Sequence, residues 1–277
     1  MIKNKKLIFA LLDGLKAQVA KENMGFLNHL VDQKMAAYYT VRSEIPAMSK
    51  PLYEVLMSGI PSVENKVVSN DVVKQSNTEN IFELCRKSGL KTGASAYYWM
   101  SELYNHIPFD KSIDTIQLDN KQELIQDGFF YFEDQYPDSH VISGGNYLIN
   151  NKDSDFVLIH TMNIDYAGHL YGANSKEYTG AAIKSDSMLS EMILQWVNSG
   201  IDIIVTADHG MSDFGFHNGI TKDDRYVPLY IISKMVDTGD YADILVPQVE
   251  IAPLICKLLG IKKSEMMVDV SKIRMKD

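Results

Sequence analysis

The sequence predicts an α/β fold, a three-layer α/β/α sandwich around a mostly parallel central sheet, on three observations. Short, almost continuously apolar runs recur along the chain, amphipathic stretches of helical period lie between them, and aspartates follow the ends of the runs. The runs are Leu7 to Leu12, Phe156 to Ile159, Ile201 to Val205 and Tyr226 to Ile232. A strand buried on both faces reads this way because neither set of alternating side chains meets water, and parallel strands are the ones covered on both faces.

In chain order, Leu7 to Leu12 is the first strand and stops at Asp13. Ser49-Lys50-Pro51, followed by Leu52 to Ser58 and Gly59, predicts a short helix with proline in its first turn and glycine at its end. Glu79 to Ser88, closed by Gly89, predicts another. From about Tyr97 to Asn150 the rhythm breaks into aromatic, Asp, Asn and Gly residues without a clean period, which reads as an insertion or small cap. Phe156 to Ile159 resumes the sheet. Lys176 to Asn198 is the clearest helix, with Ala182, Leu189, Met192, Ile193 and Trp196 near helical spacing and Gly200 as a stop. Two more strands follow, and Val249 to Leu259 predicts a last covering helix. No composition shift marks a linker, so residues 1–277 are expected to form a single domain with the segment of about 97–150 inserted in it.

Bulk properties exclude several classes. A formal net charge of −9, with no cluster of Lys and Arg, argues against binding duplex nucleic acid, whose phosphates attract basic stripes. The same charge suits an anionic substrate only if divalent cations line the site and reverse the local field. Met1 to Lys6 are basic, but the apolar run after them is too short for a signal core or a membrane span. The expectation is a cytoplasmic protein without membrane association. Cys85 and Cys256 each sit among apolar residues of expected helices, as free buried thiols do.

The chemistry is carried by where the acids fall. Asp13, Asp165 and Asp208 all lie beyond the carboxyl ends of expected strands, the edge at which open α/β sheets bind ligands. One such aspartate is usually a loop or helix cap, but each of these three has company. Asp165 and His169 stand four residues apart around an expected turn containing Gly168; Asp208 and His209 are adjacent, followed by Gly210 and, eight residues beyond His209, by His217. Oxygen and imidazole donors of this kind suit zinc or another divalent metal, and the absence of cysteine among them suits catalysis rather than a structural role. Histidines 29, 106, 140 and 160 lack such neighbours and keep the ordinary reading of satisfied core or surface imidazoles. Ser49 reads on its face as a helix N-cap; with metals nearby, the same helix end can hold it as an alkoxide nucleophile.

These residues resemble the alkaline phosphatase superfamily, above all its type I phosphodiesterase/nucleotide pyrophosphatase branch. Leu11-Leu12-Asp13-Gly14 is similar to the first metal-binding strand end, and Pro46-Ala47-Met48-Ser49-Lys50-Pro51 through Gly59 to the nucleophile segment. Asp165 to His169 resembles the Asp-x-x-Gly-His motif, and Thr206-Ala207-Asp208-His209-Gly210-Met211, with His217 beyond it, is the most specific piece. The resemblance implies two divalent metal ions, zinc with manganese or iron as alternatives. Asp13, Ser49, Asp208 and His209 would hold one, and Asp165, His169 and His217 the other. Three carboxylates and a serine alkoxide then oppose two dications in a nearly neutral site. Ser49 becomes the nucleophile of a phospho-serine intermediate. Asn70 stands where the branch places an asparagine on a phosphate oxygen, although Ser69-Asn70-Asp71 is also ordinary loop chemistry.

The activity implied is hydrolysis of a small-molecule phosphate ester, a diester or nucleotide first. A phosphomonoesterase, a phosphomutase and a non-catalytic metal-binding module are the alternatives. Serine stands where the branch commonly has threonine, and Leu52-Tyr53 replaces its Asn-His. Tyr53 also replaces the arginine of the sulfatase pattern, which argues against conversion to formylglycine. A dinucleotide-binding protein is disfavoured because Asp13-Gly14-Leu15-Lys16 follows the first strand in place of Gly-x-Gly-x-x-Gly. The aromatics of the segment, Tyr97, Tyr98, Trp99, Tyr104, Phe129, Phe130, Tyr131 and Phe132, are expected either to stack on a base or aryl group or to form a small core of their own.

Overall fold

The computed structural model describes residues 5–276; Met1 to Asn4 and Asp277, the extremes of the expected domain and part of its basic start, lie outside the described residues. The first half contains β1 (Leu7–Leu12), α1 (Ala17–Asn23), α2 (Gly25–Asp32), β2 (Ala37–Arg42), α3 (Ser49–Ser58), α4 (Ser62–Asn65), α5 (Ile81–Lys87) and β3 (Thr92–Tyr97). Next come α6 (Trp99–Tyr104), β4 (Ile116–Gln117), β5 (Asp127–Tyr131), α7 (Asp138–Asn150), β6 (Phe156–Thr161) and α8 (Asn163–Tyr171). The chain continues through α9 (Lys176–Asn198), β7 (Asp202–Thr206), α10 (Lys222–Arg225), β8 (Tyr226–Ile232), β9 (Gly239–Pro247) and α11 (Ile251–Leu259).

The strands form one sheet of nine, ordered β4-β5-β3-β6-β1-β7-β8-β2-β9 among the described residues, and all run the same way except β4 and β8. Every residue of β1, β3 and β6 is buried, as their apolar or small sequences require. Helices α1, α2, α7, α8 and α9 cover one face, while α3, α5, α6 and α11 cover the other, giving three layers. Helix α9 turns Tyr178, Ala182, Leu189, Ile193 and Trp196 inward. Burying each large apolar side chain stabilises the fold by roughly 1.5–3 kcal/mol before conformational entropy is set against it. The Trp196 indole N–H donates to Asn146 Oδ1 at 2.9 Å, fastening α9 to α7.

Two expectations change. Tyr226 to Ile232 is a strand but antiparallel to both neighbours, because an apolar run reports burial and not direction. The segment of about 97–150 does not stand apart from the sheet. Its strand β5 pairs parallel with β3, β4 adds an edge, and α7 packs on β3 and β6, so the irregular character of an insertion is confined to residues 105–115, 118–126 and 132–137. Of its aromatics, Tyr97, Tyr104, Phe130 and Tyr131 are buried in the main core, whereas Tyr98, Trp99, Phe129 and Phe132 are half-buried. A cavity of about 740 Å³ lined by Phe129, Phe132, Tyr136 and Tyr147 opens at this edge and contains none of the expected site residues. Among the described residues, no helix is long and apolar enough to cross a membrane, and Cys85 and Cys256 are buried free thiols.

Candidate metal centre

Strand register brings the three aspartates together. β1 lies between β6 and β7, with Leu12 opposite Thr161 and Leu11 opposite Thr206, so the three carboxyl ends finish level. Asp13 follows β1 directly. Asp165 lies in the first turn of α8, and the chain passes from β6 to that helix through Met162 alone. Asp165 and His169 therefore sit four apart on one helix face rather than around a turn, and their side chains meet at 3.3 Å. Gly14 makes the convergence possible: its φ of +72° suits glycine, and a Cβ there would come within 2.8 Å of Asp165 Oδ1. The Asp208 carbonyl is pinned by Ser43 Oγ at 2.5 Å and Gln248 Nε2 at 2.7 Å, which fixes the loop after β7.

Ser49 is the first residue of α3, and the cap position belongs to Met48, which is extended and makes no side-chain cap bond. The expectation that Ser49 serves as the N-cap is thus corrected: its hydroxyl lies 3.1 Å from His209 Nε2 instead. His209 Nε2 is also 3.2 Å from Asp208 Oδ2 and 3.4 Å from Asp13 Oδ1. On the other side, His217 Nε2 lies 3.2 Å from His169 Nε2 and 3.9 Å from Asp165 Oδ1. Donor atoms of Asp13, Asp208 and His209 fall within 4.8 Å of one another, and so do those of Asp165, His209 and His217, which makes His209 the hinge between the two groups. Asn70, half-buried, accepts the backbone N–H of Lys50 on Oδ1 at 3.0 Å and so stands beside the first turn of α3, next to Ser49.

The donor chemistry fits divalent cations. The Nδ1 atoms of His169, His209 and His217 face the carbonyl oxygens of Gly215, Gly210 and Ala47 at 2.8, 2.9 and 2.7 Å. A carbonyl only accepts, so each Nδ1 carries the proton and each Nε2 turns a lone pair into the site, the tautomer a metal requires. The Ser49 O–H then donates to His209 Nε2. Among the described residues, the buried carboxylate oxygens without a hydrogen-bond donor are Asp13 Oδ1, Asp165 Oδ1, Asp208 Oδ2 and Asp127 Oδ2, and the last lies 2.9 Å from the Lys91 ammonium. The other three have only each other and the imidazole lone pairs. Buried charge of that kind is costly unless a cation completes it.

Electrostatics agree. Burial, followed by the negative charges of Asp13 and Asp165, pushes the Asp208 carboxyl well above the usual range. Burial and then the charge of Asp13 do the same to Asp165. Burial also acts to raise Asp13, but opposing interactions, led by the hydrogen bond from His160, outweigh it and hold this carboxyl at about 2. Burial lowers His209, and burial with the neighbouring His209 lowers His217 to about 3, so both rings stay neutral. His169, 44% exposed at its side chain, marks where the site opens to solvent.

The residues that motif reading passed over are Tyr53 and His160, both fully buried against Asp13. Signals existed for each: Tyr53 is four residues from Ser49 on the same helix face, and His160 pairs with Leu11 at the end of the strand beside Asp13.

Residues 7–275 match the type I phosphodiesterase/nucleotide pyrophosphatase family pattern. Curated relatives include GPI ethanolamine phosphate transferase 2 of Eremothecium gossypii, 24% identical over 248 residues that make up 84% of this chain and 28% of the relative. The human GPI ethanolamine phosphate transferase 2 catalytic subunit is 21% identical over 243 residues, 82% of this chain and 23% of its own length. The chain thus spans less than a third of either relative. Among solved structures, human ectonucleotide pyrophosphatase/phosphodiesterase 5 matches with a TM-score of 0.74 at 10% identity, covering 97% of this chain and 100% of that one. The phosphonate monoester hydrolase of Silicibacter pomeroyi matches with a TM-score of 0.61 at 14% identity, over 93% of this chain and 74% of the other. At such identities the likeness concerns the fold, an α/β sandwich with a mostly parallel sheet.

Proposed function

Since the chain belongs to the type I phosphodiesterase/nucleotide pyrophosphatase family, we propose that it cleaves a phosphate diester by displacement at phosphorus, with Ser49 as the nucleophile. The observation that carries this reading is the set of three buried carboxylate oxygens without donors, facing imidazole lone pairs beside the Ser49 hydroxyl. Asp13, Asp208, His209 and Ser49 would hold one divalent ion, and Asp165, His169 and His217 the other. When bound, such ions supply positive charge for the phosphoryl oxygens and a lowered pKa for a coordinated hydroxyl or water. Zinc is the proposed metal from the mix of Asp and His donors.

The chain's own groups do the rest. Ser49, at the first position of α3, attacks with the helix N-terminus behind it, where the dipole favours an anion. Asn70 spends Oδ1 on the Lys50 N–H, which leaves its Nδ2 protons for a phosphate oxygen. The half-buried rings of Tyr98 and Trp99, the latter 6.2 Å from Tyr53 by ring centroid, are the aromatics proposed to stack with an aryl or base group on the substrate. A reducing cytoplasmic setting, read from the free thiols, belongs to the same proposal.

A second reading is favoured by the likeness to the ethanolamine phosphate transferases. On it, the phospho-serine ester is resolved by an alcohol rather than by water. The two readings part on products. Bis-nitrophenyl phosphate, nitrophenyl phosphate and nitrophenyl sulfate are compared after loading with zinc or manganese, with and without an added alcohol such as glycerol. Diester turnover to the free monoester supports the hydrolase, and turnover that needs the alcohol and yields a new diester supports the transferase. Ser49→Ala is expected to keep its fold and lose at least about 1,000-fold in kcat. A variant that keeps most of its rate would overturn the nucleophile assignment.

A further inference from the structure

Asp13 differs from the other two aspartates in what holds the far side of its carboxylate. Asp208 is held by backbone N–H groups, that of Gly14 on Oδ1 at 3.2 Å and that of His209, and the Asp165 side chain meets imidazole nitrogens that carry no proton toward it. Asp13 Oδ2, by contrast, accepts from two side chains. The Tyr53 hydroxyl donates to it, and His160 Nε2 lies 2.9 Å away. The proton on that nitrogen follows from the other end of the ring: His160 Nδ1 accepts the Tyr97 backbone N–H at 3.4 Å, so Nε2 is the N–H nitrogen. The two rings meet edge to face at 4.6 Å, and the His160 carbonyl is tied in turn by the Tyr131 hydroxyl at 2.8 Å. Asp13, Tyr53 and His160 are all 0% exposed, so no water competes for these bonds.

We propose that Tyr53 and His160 are positioning residues for Asp13: by occupying Oδ2 with two donors, they turn Oδ1, which has no donor, toward the cation shared with Ser49. This rests on the reading that Asp13 binds a metal. Its chemical logic is that of a ligand fixed by outer hydrogen bonds, so that the free oxygen meets the ion without first losing rotational freedom. The placement couples two functions in one element. Ser49 and Tyr53 are four residues apart on α3, so the helix that presents the nucleophile also aims the carboxylate across from it. A tyrosine and a histidine buried merely to fill the core would need partners, but not two donors on the same oxygen of an aspartate whose other oxygen is bare.

The test uses cobalt(II) as the probe, since its visible absorption reports the ligand set without turnover. Wild-type protein, Tyr53→Phe, His160→Leu and His160→Gln are titrated with cobalt, and metal-free unfolding is followed alongside. Tyr53→Phe and His160→Leu are expected to bind one of two cobalt ions about 10- to 100-fold more weakly, with an altered visible band, and to leave the other ion unchanged. His160→Gln, whose amide N–H can stand near the lost Nε2–H, is expected to recover part of the affinity. On a chromogenic diester the first two variants lose kcat with little change in KM. Cobalt affinity and spectrum unchanged in both would overturn the assignment, as would loss of cooperative unfolding in both metal-free variants, which would make the pair purely structural. Wild-type protein that binds no cobalt would instead overturn the metal reading beneath it.

Discussion

Two buried clusters of charge flank helix α3, and they are built on opposite rules. On one side, Glu54 is 0% exposed and each of its oxygens is occupied: Ser76 Oγ at 2.6 Å and Thr78 Oγ1 donate to one, and Tyr104 O–H donates to the other at 2.8 Å. Beside it the Lys50 ammonium meets Glu102 at 2.8 Å, with the Phe109 N–H on the second Glu102 oxygen at 3.4 Å. On the other side, Asp13, Asp165 and Asp208 are equally buried, yet each leaves one oxygen bare. Burial alone therefore does not distinguish a structural carboxylate from a ligating one. Completeness of hydrogen bonding does, because a folded chain satisfies its buried polar groups unless something from outside is to complete them.

The strongest way to break this contrast is Asp208→Asn. On the proposed function, activity is expected to fall about 1,000-fold or more, since the amide would remove a charge that holds the metal. The stability of the metal-free protein should move the other way. Burial and the neighbouring aspartates hold the Asp208 carboxyl well above its unfolded pKa of about 4. A group shifted in that direction contributes stability that is present below about pH 4 and is lost as pH rises through the shifted value. Asparagine does not ionise. Metal-free Asp208→Asn should thus gain on metal-free wild type from about pH 4 upward in urea unfolding, and equal stability across that range would count against bare, repelling carboxylates.

Glu54→Ala sharpens the comparison from the other cluster and is next in size. It removes the acceptor that the hydroxyls of Ser76, Thr78 and Tyr104 share, which should cost about 3 kcal/mol in urea unfolding while leaving metal stoichiometry at the wild-type value. A loss of metal without a loss of stability would mean that the two clusters are not separate in kind.

The sequence showed one cluster and hid the other for physical reasons. β1, β6 and β7 were readable because strands buried on both faces must be apolar throughout, and the aspartates beyond them stood out against that background. Ala37-Tyr38-Tyr39-Thr40-Val41-Arg42 gave no such run, so β2 went unseen, and with it the antiparallel setting of β8. Gly168 made a turn of what is helix α8, because helix propensity penalises glycine, whereas here the backbone tolerates it against Met211. Glu54 and Glu102 carry no motif: what satisfies them comes from residues 20 or more positions away, or from a loop whose path only the fold defines. Tyr53 and His160 were hidden in the same way, since a lone buried His or Tyr is ordinary until its partner is known.

Asn70 carries the smallest expected effect and lies on the boundary between the two rules. Its Oδ1 is satisfied by the Lys50 N–H, as a structural residue would require, while on the proposed function its Nδ2 would serve the substrate. Asn70→Ala should lower kcat/KM about tenfold, near the worth of one hydrogen bond to a charged group, with metal binding unchanged. Asn70→Asp separates the roles. It keeps an oxygen for the Lys50 N–H, so a loop anchor would tolerate it, but it replaces the amide donor with a negative oxygen facing an anionic substrate. A phosphate-binding Asn70 therefore makes the Asp variant slower than the Ala variant, because repulsion is added to the lost bond. The opposite order, with Asp close to wild type and Ala impaired, would return Asn70 to the structural side.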